Sequence, residues 1–111
     1  MCRPLAGANA PDVLERGWLA YVNSVDEFAG LGPFDVVLVD GRCRIGSALK
    51  SLCYMKDNST LLVHDWPRNY AGAMLKHFEL RQVLQTLAVL SPMPGAAGDC
   101  SSYLDHLGDW E

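Results

Sequence analysis

Apolar residues follow a helical spacing early in the chain and form a continuous run directly afterwards. Between residues 13 and 29 they recur every three or four positions, behind an Asp12 and Glu15 pair that is typical of a helix N-terminus. Residues 34–40 are almost all apolar and end in a carboxylate. The pattern predicts an amphipathic helix followed by a strand that is covered on both faces, as in a parallel sheet.

The next segment repeats this order of helix and strand. Its pattern predicts a helix at 45–56, a turn at Asp57 and Asn58, a buried strand at 60–64 and a helix near 70–78. The connection between the two strands is long enough for a crossover that carries a helix. We therefore expect the strands to be parallel neighbours with a right-handed connection.

Two further apolar segments, 80–85 and 87–91, are close enough to pair as an antiparallel hairpin at the sheet edge. From Pro92 the composition becomes that of a linker, and an acidic tail follows, which either docks as one or two helical turns or is disordered. The domain organisation is then an N-terminal segment with a helix (1–33), an α/β region (34–92) and an acidic tail (93–111).

Composition and charge narrow the class of protein. The 111 residues allow one domain, with 50% apolar and 20% charged residues. No segment is apolar enough to span a bilayer and the N-terminus lacks the apolar core of a secretory signal, so we expect a cytoplasmic protein with no membrane partner. The net charge is −4, and the densest basic group is small, which argues against nucleic acid as the main partner. That group is Arg42, Arg44, Lys50 and Lys56.

The cysteine spacing indicates neither a zinc knuckle nor a redox dithiol. Cys2, Cys43, Cys53 and Cys100 lie far apart and form no C-x-x-C motif. We therefore expect reduced thiols, with Cys53 as a small buried apolar residue on its helix.

Polar residues stand at the ends of both predicted strands. Asp40, Gly41 and Arg42 follow the first strand, and His64 and Asp65 end the second. In an open parallel sheet, ligands bind outside the carboxyl ends of the strands, and neighbouring strands lie about 4.8 Å apart. We expect Asp40, His64 and Asp65 to converge on one ligand, metal ion or proton.

Each of these three residues also has a purely structural interpretation. Asp40 is either a cofactor or metal contact or the cap of the following helix. His64 is either a base or ligand or the hydrogen-bond partner of a neighbouring loop. Asp65 is either a metal ligand or the cap of a turn.

The side chains around them leave the same choice open. Arg42 and Arg44 either hold a carboxylate or phosphate or are solvated, and Trp66 either walls a ligand site or packs in the core. The sequence has no G-x-S-x-G elbow, no P-loop, no H-E-x-x-H and no G-x-G-x-x-G after a strand. The missing glycine loop removes the usual place for a nucleotide-like cofactor in an α/β fold.

The region 34–92 resembles the fourth strand onward of a class I S-adenosylmethionine-dependent methyltransferase. The resemblance rests on FDVVLVDGR at 34–42, the helix from Ile45 to Met55, LLVHD at 61–65, Tyr70, Phe78 and LAVLSP at 87–92. It implies an α/β fold with a partial doubly wound, Rossmann-like sheet that is mostly parallel and closes with an antiparallel hairpin. It also implies S-adenosylmethionine as cofactor and methyl transfer to an oxygen of a small-molecule acceptor.

The resemblance also implies roles for the strand-end residues. In metal-dependent O-methyltransferases of this class, an acid after the fourth strand and an Asp-Asp or Asp-Asn pair after the fifth bind a divalent cation. Asp40 matches the first, and His64 with Asp65 takes the place of the pair, although magnesium and calcium prefer oxygen ligands to a histidine. The implied metal ligands are Asp40 and Asp65, the catalytic residues His64 and Asp65, and the cofactor contacts Asp40, Gly41 and Arg42.

The chain lacks the half of this fold that holds most of the cofactor. The family's first strand with its glycine-rich turn, and the acid that ends its second strand, have no counterpart before residue 34. We therefore expect a methyltransferase-like protein that is inactive alone, with an exposed edge at 34–40 that pairs with the missing half or with a second copy. The alternative is a non-catalytic interaction or scaffold module.

Overall fold

The computed structural model describes residues 19–41 and 43–106. Residues 19–22 are α-helical and lead into a 3-10 helix, Asn23–Leu31. The predicted helix at 13–29 is thus helical where it is described, but mostly with the tighter 3-10 winding, and residues 13–18 lie outside the described part. None of residues Asn23–Leu31 is buried, so tertiary packing does little to favour α-helical winding in this element.

The described strands form one mixed sheet in the order β1-β2-β4-β3. β1 and β2 are parallel, as predicted, and β3 and β4 form the predicted antiparallel hairpin. The expectation of a mostly parallel sheet is wrong, because the hairpin places β4 beside β2 and makes that pair antiparallel as well. The elements are β1 (Phe34–Val39), α1 (Arg44–Ser51), a 3-10 turn (Leu52–Tyr54), β2 (Met55–Val63), α2 (Ala71–Met74), β3 (Phe78–Leu84), β4 (Leu87–Pro92) and a 3-10 helix (Ser101–His106).

β2 begins earlier than predicted and includes the residues expected to form a turn. Its register with β1 shifts from Phe34 opposite Met55 to Val36 opposite Thr60, so the extra residues on β2, Asp57 and Asn58 among them, form an irregularity in the strand. The buried Ser59 closes this irregularity: its hydroxyl donates to the Phe34 carbonyl (2.6 Å) and accepts from the Lys56 amide (2.9 Å). Asp57 and Asn58 therefore do interrupt the regular backbone, but within strand β2 and not in a turn before it.

α2 is much shorter than the predicted helix at 70–78. Tyr70, Met74 and Phe78 are four residues apart and all buried, which produces the apolar stripe of a helix. Phe78 instead opens β3 opposite Pro92. The spacing of these apolar residues therefore predicted correctly that they are buried, but it assigned Phe78 to a helix and not to a strand.

The core lies between α1, α2 and one face of the sheet. β1, β2 and β4 contribute Val39, Leu61, Val63, Ala88 and Leu90 to it. The helical side contributes Ile45, Ala48, Leu49, Leu52, Tyr70 and Met74, with Trp66 alongside. No helix in the described ranges is long and apolar enough to cross a membrane.

The C-terminal segment docks on α1, which decides between the two alternatives for the tail as far as His106. The Gly98 amide donates to the Leu52 carbonyl (2.7 Å). The Lys50 ammonium lies 4.8 Å from the centre of the Tyr103 ring, within range of a cation–π interaction. The tail therefore forms an outer layer over α1.

The cysteines correct the sequence prediction. Cys53 and Cys100 form a disulfide, with their Cα atoms 5.0 Å apart, and Cys43 is disulfide-bonded as well. Cys53 is therefore a half-buried crosslink and not a reduced core thiol. Because 47 positions separate Cys53 from Cys100, they meet only when the tail folds back over α1.

Lys50 also fixes the N-terminal 3-10 helix to α1. Its ammonium lies 3.2 Å from the carboxylate of Asp26, and the Tyr54 hydroxyl donates to the same carboxylate. The Tyr54 hydrogen bond and, secondarily, Lys50 lower the pKa of Asp26, while the bond raises the pKa of Tyr54.

Candidate active site

The carboxyl ends of β1 and β2 meet, as the sequence predicted. The His64 amide donates to the Val39 carbonyl (3.2 Å), which fixes the two strand ends side by side. Nδ1 of His64 lies 3.3 Å from a carboxylate oxygen of Asp40 and 3.4 Å from one of Asp65. Potential ligand atoms of the three residues all lie within 4.8 Å of one another. The structure therefore gathers Asp40, His64 and Asp65 into one cluster.

Asp65 has an unusual backbone conformation. Its φ angle is +61°, in the left-handed region that few residues other than glycine adopt. The buried Tyr70 supports this turn from below: its hydroxyl donates to the Asp65 carbonyl (2.6 Å) and lies 3.2 Å from the His64 carbonyl. The turn points the Asp65 carboxylate back towards the end of β1.

Arg44 lies buried beneath the cluster of Asp40, His64 and Asp65. Only 4% of this residue is exposed, and its guanidinium donates to the Asp65 carboxylate (3.2 Å), lies 3.9 Å from Asp40 and sits 5.7 Å from the centre of the Tyr70 ring. Arg44 is therefore not solvated, because its guanidinium is buried against the carboxylate of Asp65. Binding of a ligand's carboxylate or phosphate by Arg44 stays a prediction.

The charges of the cluster nearly cancel. The carboxylates of Asp40 and Asp65 face Arg44, and Arg68 lies 3.9 Å from Asp65. A divalent cation here would be held by one imidazole and two carboxylates, a set that suits a transition metal better than magnesium or calcium. It would also approach the Arg44 guanidinium, which already occupies one Asp65 oxygen. The neighbouring arginines, and not the donor set, therefore make the cluster a poor site for a divalent cation.

The remaining predicted residues have clear positions or lie outside the described part. The N-cap of α1 is Cys43, with no side-chain cap bond, so Asp40 does not cap that helix. Gly41 has a φ of +135°, and an added Cβ would lie 3.3 Å from the Tyr21 hydroxyl. Trp66 is buried in the core, which supports its packing interpretation. Arg42 lies outside the described residues.

A cleft of about 270 Å³ lies beside β1 and includes Asp40 of the cluster. It runs between the segment 37–40 and the helical residues 21–25, with Ser47 and Ser51 of α1 at its base. Pockets for drug-sized ligands usually measure about 300–1,000 Å³, so this cleft is at or below the lower limit. The polar residues of its lining are Asp40, Tyr21 and three serines, Ser24, Ser47 and Ser51.

Comparison with known proteins gives one informative match. No protein-family profile and no curated protein matches the chain. The solved structure of a methyltransferase-like protein from Silicibacter pomeroyi DSS-3 matches it with a TM-score of 0.62 and 26% sequence identity. This chain has a methyltransferase-like fold. The match covers 88% of this chain and 54% of that protein, so the chain spans about half of its length.

Two residues that support the cluster, Arg44 and Tyr70, were not assigned to the site from the sequence. Arg44 received no role in the implied site, and Tyr70 was named only among the residues that carry the family resemblance. A partial signal existed for the first, because Asp40 and Arg44 are four residues apart across a strand end, where an ion pair can form. No signal existed for the Tyr70 hydroxyl, whose acceptors are backbone carbonyls.

Proposed function

We propose that this chain is the acceptor-side half of an S-adenosylmethionine-dependent methyltransferase that acts on an oxygen. The observation that carries the proposal is the cluster of Asp40, His64 and Asp65 at the carboxyl ends of two parallel strands, in a chain with a methyltransferase-like fold. Ligands of open α/β sheets bind at this position.

The chain provides only part of a cofactor site. When bound, S-adenosylmethionine supplies a methyl group on a sulfonium. Asp40 lines the cleft and is a candidate contact of the cofactor. Gly41 and Arg42, which follow it in the sequence, are further candidates from the resemblance. A cleft of about 270 Å³ with few hydrogen-bonding groups does not fit the whole cofactor. The chain is therefore proposed to be inactive without the missing half.

His64 is proposed as the general base. Its Nδ1 faces Asp40 and Asp65, which orients the ring and leaves the other ring nitrogen to accept a proton. With the cofactor bound, the methyl group would come from its sulfonium, and the role of His64 would be to take the proton that the acceptor hydroxyl loses. Asp65 is held by Arg44 and acts through His64.

Metal assistance by Asp40 and Asp65 remains a prediction, and the charge balance with Arg44 and Arg68 argues against it. A cytoplasmic location also remains a prediction. Disulfides are rare in most cytosolic proteins, so the bond between Cys53 and Cys100 favours a more oxidising compartment.

The alternative function, a non-catalytic interaction module, is favoured by one observation. β1 lies at the edge of the described sheet, and the cleft beside it is small. Such an edge can pair with another chain without any chemistry.

Methyl transfer in a reconstituted domain tests the proposal. The full chain is co-expressed with the part of the Silicibacter pomeroyi protein outside the aligned region, and transfer of labelled methyl from S-adenosylmethionine to a panel of phenols and alcohols is measured. Asp40→Asn and His64→Gln should each lower the rate by about 100-fold or more, the usual loss when general base catalysis is removed. Asp57→Asn, an exposed carboxylate on β2, is the matched control and should leave the rate unchanged.

Two results would contradict the proposal. Equal rates for wild type and His64→Gln would contradict the assignment of His64 as the general base. A complex that binds the cofactor but methylates no acceptor would favour the interaction module.

A further inference from the structure

One face of the sheet carries a second set of apolar side chains, opposite the core. Successive strand residues point to opposite faces, so Val36 and Leu38 of β1 face away from the buried Val39. The register continues this row across the sheet, with Leu38 opposite Leu62 and Leu62 opposite Val89. At the far end, Leu84 pairs with Leu87 on the same face. We call Val36, Leu38, Leu62, Leu84, Leu87 and Val89 the open face.

Three residues of the open face are exposed to solvent and three, Leu62, Leu87 and Val89, are half-buried, although the composition of the face is that of a buried surface. Val36, Leu38 and Leu84 are 58%, 61% and 51% exposed, whereas Leu61 and Leu90 on the core side are fully buried. An antiparallel sheet with one solvated face normally alternates apolar and polar residues. On β1 and β4 of this chain, the outward positions from Val36 to Leu38 and from Leu87 to Val89 are apolar instead. Contiguous apolar patches of this kind mark interaction sites.

The character of the open face restricts the partner. Its six defining residues are apolar, and the charged residues beside them on β3, Glu79 and Arg81, pair with each other at 3.0 Å. The face therefore has no excess charge for a nucleic acid or an acidic peptide. α1 and α2 both pack on the opposite face of the sheet, whereas domains of this architecture carry helices on both faces. The match to the Silicibacter pomeroyi protein covers 54% of that protein, which leaves 46% of it to provide the remaining layers.

We propose that the open face binds the apolar side of helices from a second polypeptide that carries the complementary half of the methyltransferase-like domain. The inference rests on the proposed function, since it takes the chain to be one half of that domain. It differs from strand addition at β1, because the main contact is a layer of helices packed across all four strands. The cleft beside β1 is continuous with this interface at Leu38.

Complex formation tests the proposal directly. The full chain is co-expressed with the segment of the Silicibacter pomeroyi protein outside the aligned region, and the products are analysed by size-exclusion chromatography with light scattering and by sedimentation velocity. Wild type should form a one-to-one complex. Leu38→Glu should weaken it by at least about ten-fold, since each factor of ten corresponds to about 1.4 kcal/mol.

A matched control uses the same kind of change on the other face. Val83→Glu replaces another exposed strand residue, 42% exposed against 61% for Leu38, which the register places opposite Ala88 on the core side of the sheet. It should leave complex formation unchanged. Val36→Lys is a second open-face variant, and thermal unfolding of each variant alone shows whether its fold is retained.

The possible outcomes are distinct. No complex with the wild-type chain, or a complex that Leu38→Glu and Val36→Lys leave intact, overturns the proposal. A homodimer that Leu38→Glu dissociates, without a mixed complex, shows that a second copy covers the face and also overturns it. A mixed complex without methyl transfer leaves the docking surface standing and removes the proposed function.

Discussion

Replacing Cys100 with serine is expected to lower the free energy of unfolding by about 2–4 kcal/mol under oxidising conditions. The Cys53–Cys100 disulfide closes a loop across 47 positions and thereby restricts the unfolded chain. It also holds the C-terminal segment on α1, where Gly98 and Tyr103 make their contacts. Urea unfolding should show the loss directly, and thermal unfolding should show a decrease of roughly 10 °C or more in midpoint.

The control for this prediction is the same pair of proteins in reductant. Wild type and Cys100→Ser should then unfold at similar urea concentrations, because neither retains the bond. Thiol labelling of the native proteins adds an independent readout: Cys53 should react in the variant and not in the oxidised wild type. Identical unfolding of both proteins without reductant would contradict a stabilising crosslink.

Replacing Arg44 with alanine is expected to lower the free energy of unfolding by about 2–3 kcal/mol. The buried guanidinium pairs with Asp65 and faces the Tyr70 ring, so truncation removes packing, a cation–π contact and an ion pair together. Losing one partner of a fully buried ion pair costs about 3–5 kcal/mol, but the Asp65 side chain is 36% exposed and partly screened by water, which lowers the figure.

Arg68→Ala is the matched control for Arg44→Ala. Arg68 also faces Asp65, but at 3.9 Å and with a side chain that is 44% exposed. An exposed ion pair contributes about 0–1 kcal/mol, so this variant should unfold close to wild type. Equal losses of unfolding free energy for the two variants would contradict the larger stabilising role of the buried Arg44.

The strands and the position of the site could be predicted from sequence because both depend on local signals. The apolar runs at 34–40 and 60–64 are too short for typical helices, which favours strands. Parallel neighbouring strands then bring their carboxyl ends together. Asp40, His64 and Asp65 therefore meet where the pattern placed them. Their chemical roles do not follow from this rule and stay predictions.

The features that sequence reasoning missed depend on long-range contacts. Phe78 continues a helical spacing from Tyr70 and Met74, and only pairing with Pro92 makes it part of a strand. Cys53 and Cys100 carry no motif, since their bond requires the tail to cover α1. Strand order is likewise a property of the folded sheet: β4 lies beside β2, which reduces the parallel part to one pair.

The exposed face of β1 also shows the limit of a pattern-based prediction. The run at 34–40 predicted a strand covered on both faces, yet Val36 and Leu38 are exposed in this chain. The pattern describes the surface that a residue is suited to occupy, and the described residues place helices on only one face of the sheet. This mismatch is the reason that we propose a partner layer on the other face.

We propose that this chain holds one side of a methyltransferase site and cannot bind the cofactor alone. Calorimetric titration of the folded full chain with S-adenosylhomocysteine, with and without magnesium or zinc, tests this proposal most directly. We expect no measurable binding under any of these conditions. Micromolar affinity would contradict it, because the chain would then build a complete cofactor pocket without the missing half.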